Sequence, residues 1–236
     1  MNELKYSTTI QLYNSFFDCN NNLKLQSVLS IFQDVASVHG EQIGVGYLTM
    51  LNKNLFWVLS RVKFDIIKQP QIDETVVVET WPHEKGKIDF DRDFLIKNLN
   101  DEVLVKGTSK WCVINSVTRT LSRTDQVEYC DGEFCKIVNY EERFNKIAPF
   151  NTDELEPIFK YTVNFSDLDH NNHMNNTYYA NLVVNAIENK VVNHFEINFV
   201  SECLLNDEIS VFYNNENEQL VCGTVDNKTV FIAMVK

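Results

Sequence analysis

The feature that most constrains this 236-residue chain is that its second half repeats its first. The segment "RVKFDIIKQPQIDETVVV" (61–78) lies over "HFEINFVSECLLNDEISV" (194–211) without a gap, at an offset of 133. Val62, Phe64, Ile66, Val76 and Val78 then fall on Phe195, Ile197, Phe199, Ile209 and Val211. Upstream, "FFDCNNN" (16–22) lies over "FSDLDHN" (165–171) at an offset of 149, and two apolar helix stripes overlay at 151. Alternating strands resemble one another, so one such match carries little. Three in the same order mark an internal duplication.

Each copy reads as a helix followed by strands. In the first, apolar residues recur from Leu25 at Val28, Leu29, Phe32, Val35 and Ala36, the one-face spacing of an amphipathic helix. Gly44-Val45-Gly46 then fits a helix stop. Strand-like runs follow at "LFWVLSRVKFDI", "TVVVETW", "IDFDRDFLIKN" and "VLVKGTSKWCVIN", with a hairpin turn expected over "NLND" (98–101). In the second copy the stripe is Tyr179, Leu182, Val183, Ala186 and Ile187, followed by "HFEINFV", "EISVFYN", "QLVCGTV" and "KTVFIAMVK". Local hairpins with one helix laid against them give an α+β layer pair. The expected division is 1–122, a charged and irregular surface connection over 123–156, and 157–236.

Composition narrows the partners. A net charge of −12 argues against nucleic acid or an anionic membrane surface, both of which need a basic footprint. No apolar run approaches bilayer-spanning length, and "MNELKYSTTIQLYNSFF" has no secretory pattern. The six cysteines are scattered without a CxxC pair, and read as free thiols of a reducing, cytoplasmic setting.

The chemistry concentrates in "NFSDLDHNNHMNNTYYANL" (164–182). In the first copy Asn20 and Asn22 keep the polar character, but at an offset of 149 the position over His173 is Lys24. That asymmetry points to chemistry in the second copy. Asp167-Leu168-Asp169-His170-Asn171-Asn172-His173-Met174-Asn175-Asn176-Thr177-Tyr178-Tyr179 resembles the D-L-D-x-N-x-H-x-N-N-x-x-Y pattern of the acyl-acyl carrier protein thioesterase family. "SIFQDVASVHGEQIGVG", "LFWVLSRVKFDI", "DETVVVETWP" and "DRDFLIKNLNDEVLVKGTSKWCVIN" also look like that family's first half. The resemblance implies two tandem hot-dog domains, each an antiparallel sheet wrapped around a central helix. It implies that Asn171 and His173 are catalytic, with Asp169 behind them, and that Glu202 of "FVSECLLNDE" is the further acid. The interval from His173 to Glu202 is shorter than in many relatives. Asp169 to Asn176 also resembles the D-x-x-G-H-x-N-N signature of single hot-dog coenzyme A thioesterases, with Asn172 in place of Gly.

These residue types suit thioester hydrolysis. The leaving thiol has a pKa of roughly 8.5, so what remains is to activate a water and stabilise an oxyanion. Glu202 is a candidate base; His173 could relay the proton or polarise the carbonyl, and either could accept the proton first. Asn171 could orient either group, and Asp169 could hold the imidazole in one tautomer. A rival set is Cys203, His173 and Asn171 with cysteine as nucleophile. Strand alternation sends Glu202 and Cys203 to opposite faces, with Cys203 on the apolar face of Phe195, Ile197 and Phe199, which favours Glu202.

The plainer readings are a helix cap for the whole 167–176 cluster and a packed core position for His39. A metal pair at His170-x-x-His173 lacks a third ligand, so neither metal nor cofactor is expected. An acyl tail needs a dry slot, expected in the first copy from Val28, Leu29, Phe32, Phe56 and Trp57. The leading expectation is release of a fatty acid from acyl carrier protein, docked on a patch of Lys85, Lys87, Arg92, Lys110, Arg119 and Arg123. The alternatives are a coenzyme A thioesterase on the same fold and a silent acyl-binding protein; either a monomer or a homodimer fits two fused hot-dogs.

Overall fold

A computed structural model describes residues 3–142, 144, 147–152, 155–187, 191–216 and 218–236. The first half runs β1 (Tyr6–Gln11), α1 (Leu25–Gln42), α2 (Tyr47–Asn52), β2 (Leu55–Ile66), β3 (Thr75–Pro82), β4 (Phe90–Asn98) and β5 (Val103–Asn115). The second runs β6 (Phe159–Thr162), α3 (Tyr179–Ala186), β7 (His194–Phe199), β8 (Glu208–Asn214), β9 (Gln219–Val225) and β10 (Lys228–Val235). All ten strands belong to one antiparallel sheet, in the order β1-β3-β4-β5-β2-β7-β10-β9-β8-β6. Three elements differ from expectation: the short strands β1 and β6, which precede α1 and α3, and α2, which interrupts the path into β2.

The order is a palindrome of the repeat, and the seam shows why. Val62 pairs with Ile197 and Phe64 with Phe195, whereas the repeat equates Val62 with Phe195 and Phe64 with Ile197. Between them Lys63 faces Glu196, its own counterpart. Such reciprocity is what a two-fold contact between equivalent units requires. The sheet of each hot-dog is thereby continued by the other.

α1 forms because its apolar residues share one face: Leu25, Val28, Leu29, Ile31, Phe32 and Val35 are all buried. Each such side chain contributes about 1.5–3 kcal/mol on burial. The helix ends at Gly44, whose left-handed φ of 77° suits a residue with no Cβ. Phe32 stacks on Phe94 (ring centroids 4.2 Å apart) and presses on the backbone of Gly107, where a Cβ would come within 2.3 Å of its ring. In β2 a bulge at Ser60 resets the alternation, so that Leu59 before it and Val62, Phe64 and Ile66 after it all belong to the main core. A second, smaller core gathers Ile43, Val45, Met50, Leu55, Phe90, Val113 and Val127 around α2.

The connection over 123–156 is irregular, as expected, but it is packed rather than merely superficial. It crosses the sheet face opposite the helices. Trp81 Nε1 donates to the Ile137 carbonyl (2.9 Å), and the Asn139 amide donates to the carbonyls of Phe94 and Gly107 (2.8 and 2.9 Å). Lys63 Nζ donates to the Glu142 carbonyl (2.8 Å). Cys130 is exposed and Cys135 buried. Arg143, Asn145, Lys146, Asp153 and Glu154 of this connection lie outside the described residues. Among the described residues no helix is long and apolar enough to cross a membrane.

Candidate active site

The loop that enters α3 is built around Asp169. Its Oδ1 accepts from the backbone N–H groups of Asn171 (2.8 Å) and His173 (3.2 Å), while its own N–H donates to the His173 carbonyl (2.8 Å). Asn172 stands at the apex with φ 63°, a left-handed conformation that Asn tolerates and Gly prefers. The departure from the glycine of the coenzyme A signature is therefore conformationally silent, and does not distinguish one carrier from another. Asn175 Oδ1 accepts from the Thr177 N–H (2.9 Å) and caps the 3-10 turn Asn176–Tyr178 that leads into α3. Capping thus accounts for Asn175, but not for the side chains of Asn171 and His173.

The first half repeats the hydrogen bonds of the Asp169 turn. Asp18 Oδ1 accepts from Asn20 and Asn22 N–H (both 2.8 Å), and Asn21 carries φ 63°. Bridges between Phe17 and Leu23 and between Leu168 and Met174 close the two loops. The equivalence is therefore 151 throughout and not 149, which corrects the overlay: Asn22, not Lys24, stands where His173 stands. At the offset of 133 that governs the strands, Gln69 stands where Glu202 stands.

His173 Nε2 lies 3.2 Å from Glu202 Oε2. Asp169 binds the loop backbone, while the imidazole turns to Glu202; any influence of Asp169 on the ring acts through the backbone that carries it. Arg119, from the loop after β5, places Nη2 at 2.8 and 3.1 Å from the two Glu202 oxygens. The side chains are graded in exposure, 20% for His173, 44% for Glu202 and 54% for Arg119, so the site opens to solvent on the Arg119 side. The Arg119 guanidinium stands 5.5 Å above the Phe56 ring. His170 packs edge-on against Tyr47 of α2, with ring centroids 4.6 Å apart. Among the described residues no group of three His, Cys, Asp or Glu could hold a metal.

Arg119 has φ 56°. Among the described residues nine others have positive φ; eight of these are Asn or Asp and one is Gly44. A left-handed backbone costs a residue with a long side chain about 1–3 kcal/mol, while an exposed ion pair returns about 0–1 kcal/mol. Stability alone does not account for an arginine there.

Cys203 is fully buried, and burial pushes its thiol up to about 11, against a smaller lowering from a Tyr179 hydrogen bond. A thiol so placed stays protonated near neutrality and makes a poor nucleophile. The alternation argument reached this separation on a premise that fails. β7 ends at Phe199, and Val200 and Ser201 both donate to the Val230 carbonyl (2.9 and 3.2 Å). The Met174 N–H then bonds the Cys203 carbonyl (2.9 Å), tying the loop to this segment.

Beside the loop runs a narrow cleft lined by Leu29, Phe32, Gln33, Leu59, Phe94, Ser109, Trp111, Asn176 and Thr177. Its open volume, about 20 Å³, is little more than one water needs, so anything larger enters only as these side chains part. Of the expected slot residues, Leu29 and Phe32 line it. Val28 is fully buried in the main core, Trp57 donates Nε1 to the Val45 carbonyl (2.9 Å) in the second core, and Phe56 lies under Arg119. Leu59, Phe94, Ser109 and Trp111 were not anticipated; the alternation of Gly107, Ser109 and Trp111 along β5 carried the signal.

The expected basic patch does not assemble. Arg92 is buried between His39 Nδ1 (3.0 Å) and Thr80 Oγ1 (3.2 Å). Lys110 pairs with Asp89 and Asp91, Arg123 with Asp125, and Arg119 with Glu202. Lys85 Nζ donates to the Val127 carbonyl (3.0 Å), and Lys87 is exposed.

Fold and site together define a double hot-dog protein with an acid–imidazole pair beside an apolar cleft. Two family models match it: the acyl-ACP thioesterase N-terminal domain over residues 3–132 and the C-terminal domain over 151–229. The chain belongs to the acyl-ACP thioesterase family. It is 28% identical over 219 residues to oleoyl-acyl carrier protein thioesterase 2, chloroplastic, of Arabidopsis thaliana, covering 84% of this chain and 59% of that protein. It is 27% identical over 220 residues to the oleoyl-acyl carrier protein thioesterase, chloroplastic, of Coriandrum sativum, with 85% and 60% covered. The chain thus spans about three fifths of these relatives' length. Among solved structures, an acyl-ACP thioesterase from Bacteroides thetaiotaomicron gives a TM-score of 0.83 at 26% identity, covering 98% of this chain and 97% of that one. The 12:0-ACP thioesterase from Umbellularia californica gives 0.84 at 20% identity, covering 100% and 98%, and supports the fold.

Proposed function

We propose that this protein hydrolyses the thioester joining an acyl chain to acyl carrier protein and releases the free fatty acid. The observation that carries the reading is the His173–Glu202 pair, 3.2 Å apart, with His173 on a loop that continues into the cleft wall at Asn176 and Thr177. The acyl chain occupies the cleft and presents its carbonyl to the pair. A water gives its proton to the Glu202–His173 pair as its oxygen bonds the carbonyl carbon. The oxyanion collapses, the C–S bond breaks, and the departing sulfur takes up a proton to leave as the carrier thiol. Among the described residues the exposed Asn171 amide has no protein partner, which leaves it free to orient the carbonyl or the water. Asp169 shapes the loop that presents Asn171 and His173.

In this reading residues 1–122 form the domain that supplies the acyl slot, 123–156 connect, and 157–236 form the domain that supplies the catalytic residues. The β2–β7 seam gives each half the partner a single hot-dog would find in another chain, so a monomer suffices, although a homodimer is compatible. Six free cysteines suit a reducing compartment, and we place the protein in the cytoplasm.

Turnover measured over matched acyl carrier protein and coenzyme A thioesters tests the reading. Release of fatty acid from the carrier protein, with Cys203→Ala retaining activity, is expected. Equal or better turnover of the coenzyme A esters moves the substrate to that carrier. Acyl-chain binding with no turnover of either makes the protein a silent binder.

A further inference from the structure

We infer that Arg119 is a positioning residue through which the N-terminal half holds the catalytic carboxylate of the C-terminal half in place. The inference rests on reading Glu202 and His173 as the catalytic pair. Three independent observations lead to it.

The first is the backbone. Position 119 needs a left-handed residue, and wherever else among the described residues a side chain accepts that conformation it is Asn or Asp. The turn itself does not ask for arginine, so the reason lies at the end of the side chain.

The second is the way Glu202 is held. It sits beyond the end of β7, outside any strand, and nearly half exposed. A side chain so placed samples several rotamers unless something fixes it. Arg119 Nη2 reaches both carboxylate oxygens, and Phe56 lies beneath the guanidinium, so the carboxylate is left with one edge toward His173.

The third is the other copy. There Gln69 Oε1 accepts the backbone N–H of Leu23 (3.0 Å), so the residue over Glu202 is fixed by its own loop. In the second copy the equivalent N–H, that of Met174, goes to the Cys203 carbonyl instead. Glu202 is thereby released from the backbone, and Arg119 takes over its restraint from across the domain boundary. β5, which supplies Ser109 and Trp111 to the cleft, leads directly into the Arg119 loop.

The test uses the full chain with the acyl carrier protein and coenzyme A thioesters above. Arg119→Asn suits the left-handed backbone, so it should melt no lower than wild type while its kcat falls about 10–10²-fold and KM stays within about two-fold. Arg119→Lys should fall between the two, and methylguanidinium should restore part of the kcat of Arg119→Ala but none of Glu202→Ala. Wild-type kcat in Arg119→Asn, or a loss of kcat that tracks loss of folded protein, overturns the inference. So does a rise in KM for the carrier protein substrate alone, which would make Arg119 a docking cation. If the wild type turns over neither ester, the functional reading fails, and a crystal structure of Arg119→Asn decides the positioning claim separately. Glu202 swung away from His173 upholds it; Glu202 still paired with His173 sinks it.

Discussion

The two halves of the molecule share one frame and differ in what is hung on it. The loops at Asp18 and Asp169 make the same backbone hydrogen bonds and place an Asn at the same left-handed apex. Two of the side chains that change are Asn22 for His173 and Gln69 for Glu202, each a neutral amide where the other half has an imidazole or a carboxylate. Asp18 does in a loop without an imidazole what Asp169 does in a loop that carries one. Most of the polar density in the motif is therefore loop architecture, and the proposed chemistry narrows to His173 and Glu202, with the Asn171 amide exposed.

The N-terminal half differs in the opposite sense. Its offset against the second half drops from 151 to 133 between helix and long strand, so it carries 18 additional residues there. They lengthen α1, form α2, and extend β2 beyond the seam. Among them Tyr47 packs against His170 of the other half's loop, and Phe56 lies beneath Arg119, which reaches Glu202 of the other half. In the proposed mechanism one half contributes walls and restraint, and the other contributes the groups that exchange protons.

The largest test of this contrast is to write the first loop's residues into the second. His173→Asn and Glu202→Gln should each lower kcat by ~10²–10⁴-fold in steady-state assays, with melting temperatures near wild type. A variant with most of its activity left would mean that the neutral copy is not chemically different.

Walls should show as stability and specificity. Phe32→Ala removes a ring stacked on Phe94 and should cost about 3–5 kcal/mol in denaturant unfolding. It should also shift the released acids toward longer chains. Trp57→Ala, in the second core, should destabilise without that shift. The same product profile from both would move the acyl slot out of the cleft.

The acid sensitivity of the N-terminal half is expected to centre on His39. Burial, and then the neighbouring Arg92 guanidinium, lower its pKa from 6.5 to about 4. The unfolded chain therefore binds a proton below pH 6.5 that the folded chain refuses until about pH 4. Stability present above pH 6.5 drains away as the pH falls toward 4, by up to about 3 kcal/mol. His39→Gln should flatten that window in unfolding free energies measured against pH. An unchanged slope would show that another group governs it.

The smallest effect separates frame from chemistry. Asp18→Ala and Asp169→Ala each remove two backbone hydrogen bonds, and should destabilise by a similar amount, about 1–2 kcal/mol. Asp18→Ala should leave kcat in place, while Asp169→Ala lowers it by letting the His173 loop drift. Equal kcat for the two would remove Asp169 from the site.

The sequence alone determined what is written in neighbouring residues. The runs 55–66, 103–115, 208–214 and 219–225 became β2, β5, β8 and β9 with the same limits, because alternation of period two is a property of consecutive side chains. The duplication and the loop motif were legible for the same reason. Tertiary structure alone decided what depends on distant partners. β1 and β6 are short edge strands defined by pairing with β3 and β8, and little in their own residues announces them. The cleft residue Leu59 shares a face with Phe64 only because of the bulge at Ser60, which breaks the alternation that a sequence reading extends. Arg119 meets Glu202 across 83 residues of chain, from the opposite half. No periodicity reaches that far: the contact exists because the two halves close one sheet along β2 and β7, and only that closure brings a loop of one against the segment that follows β7 in the other.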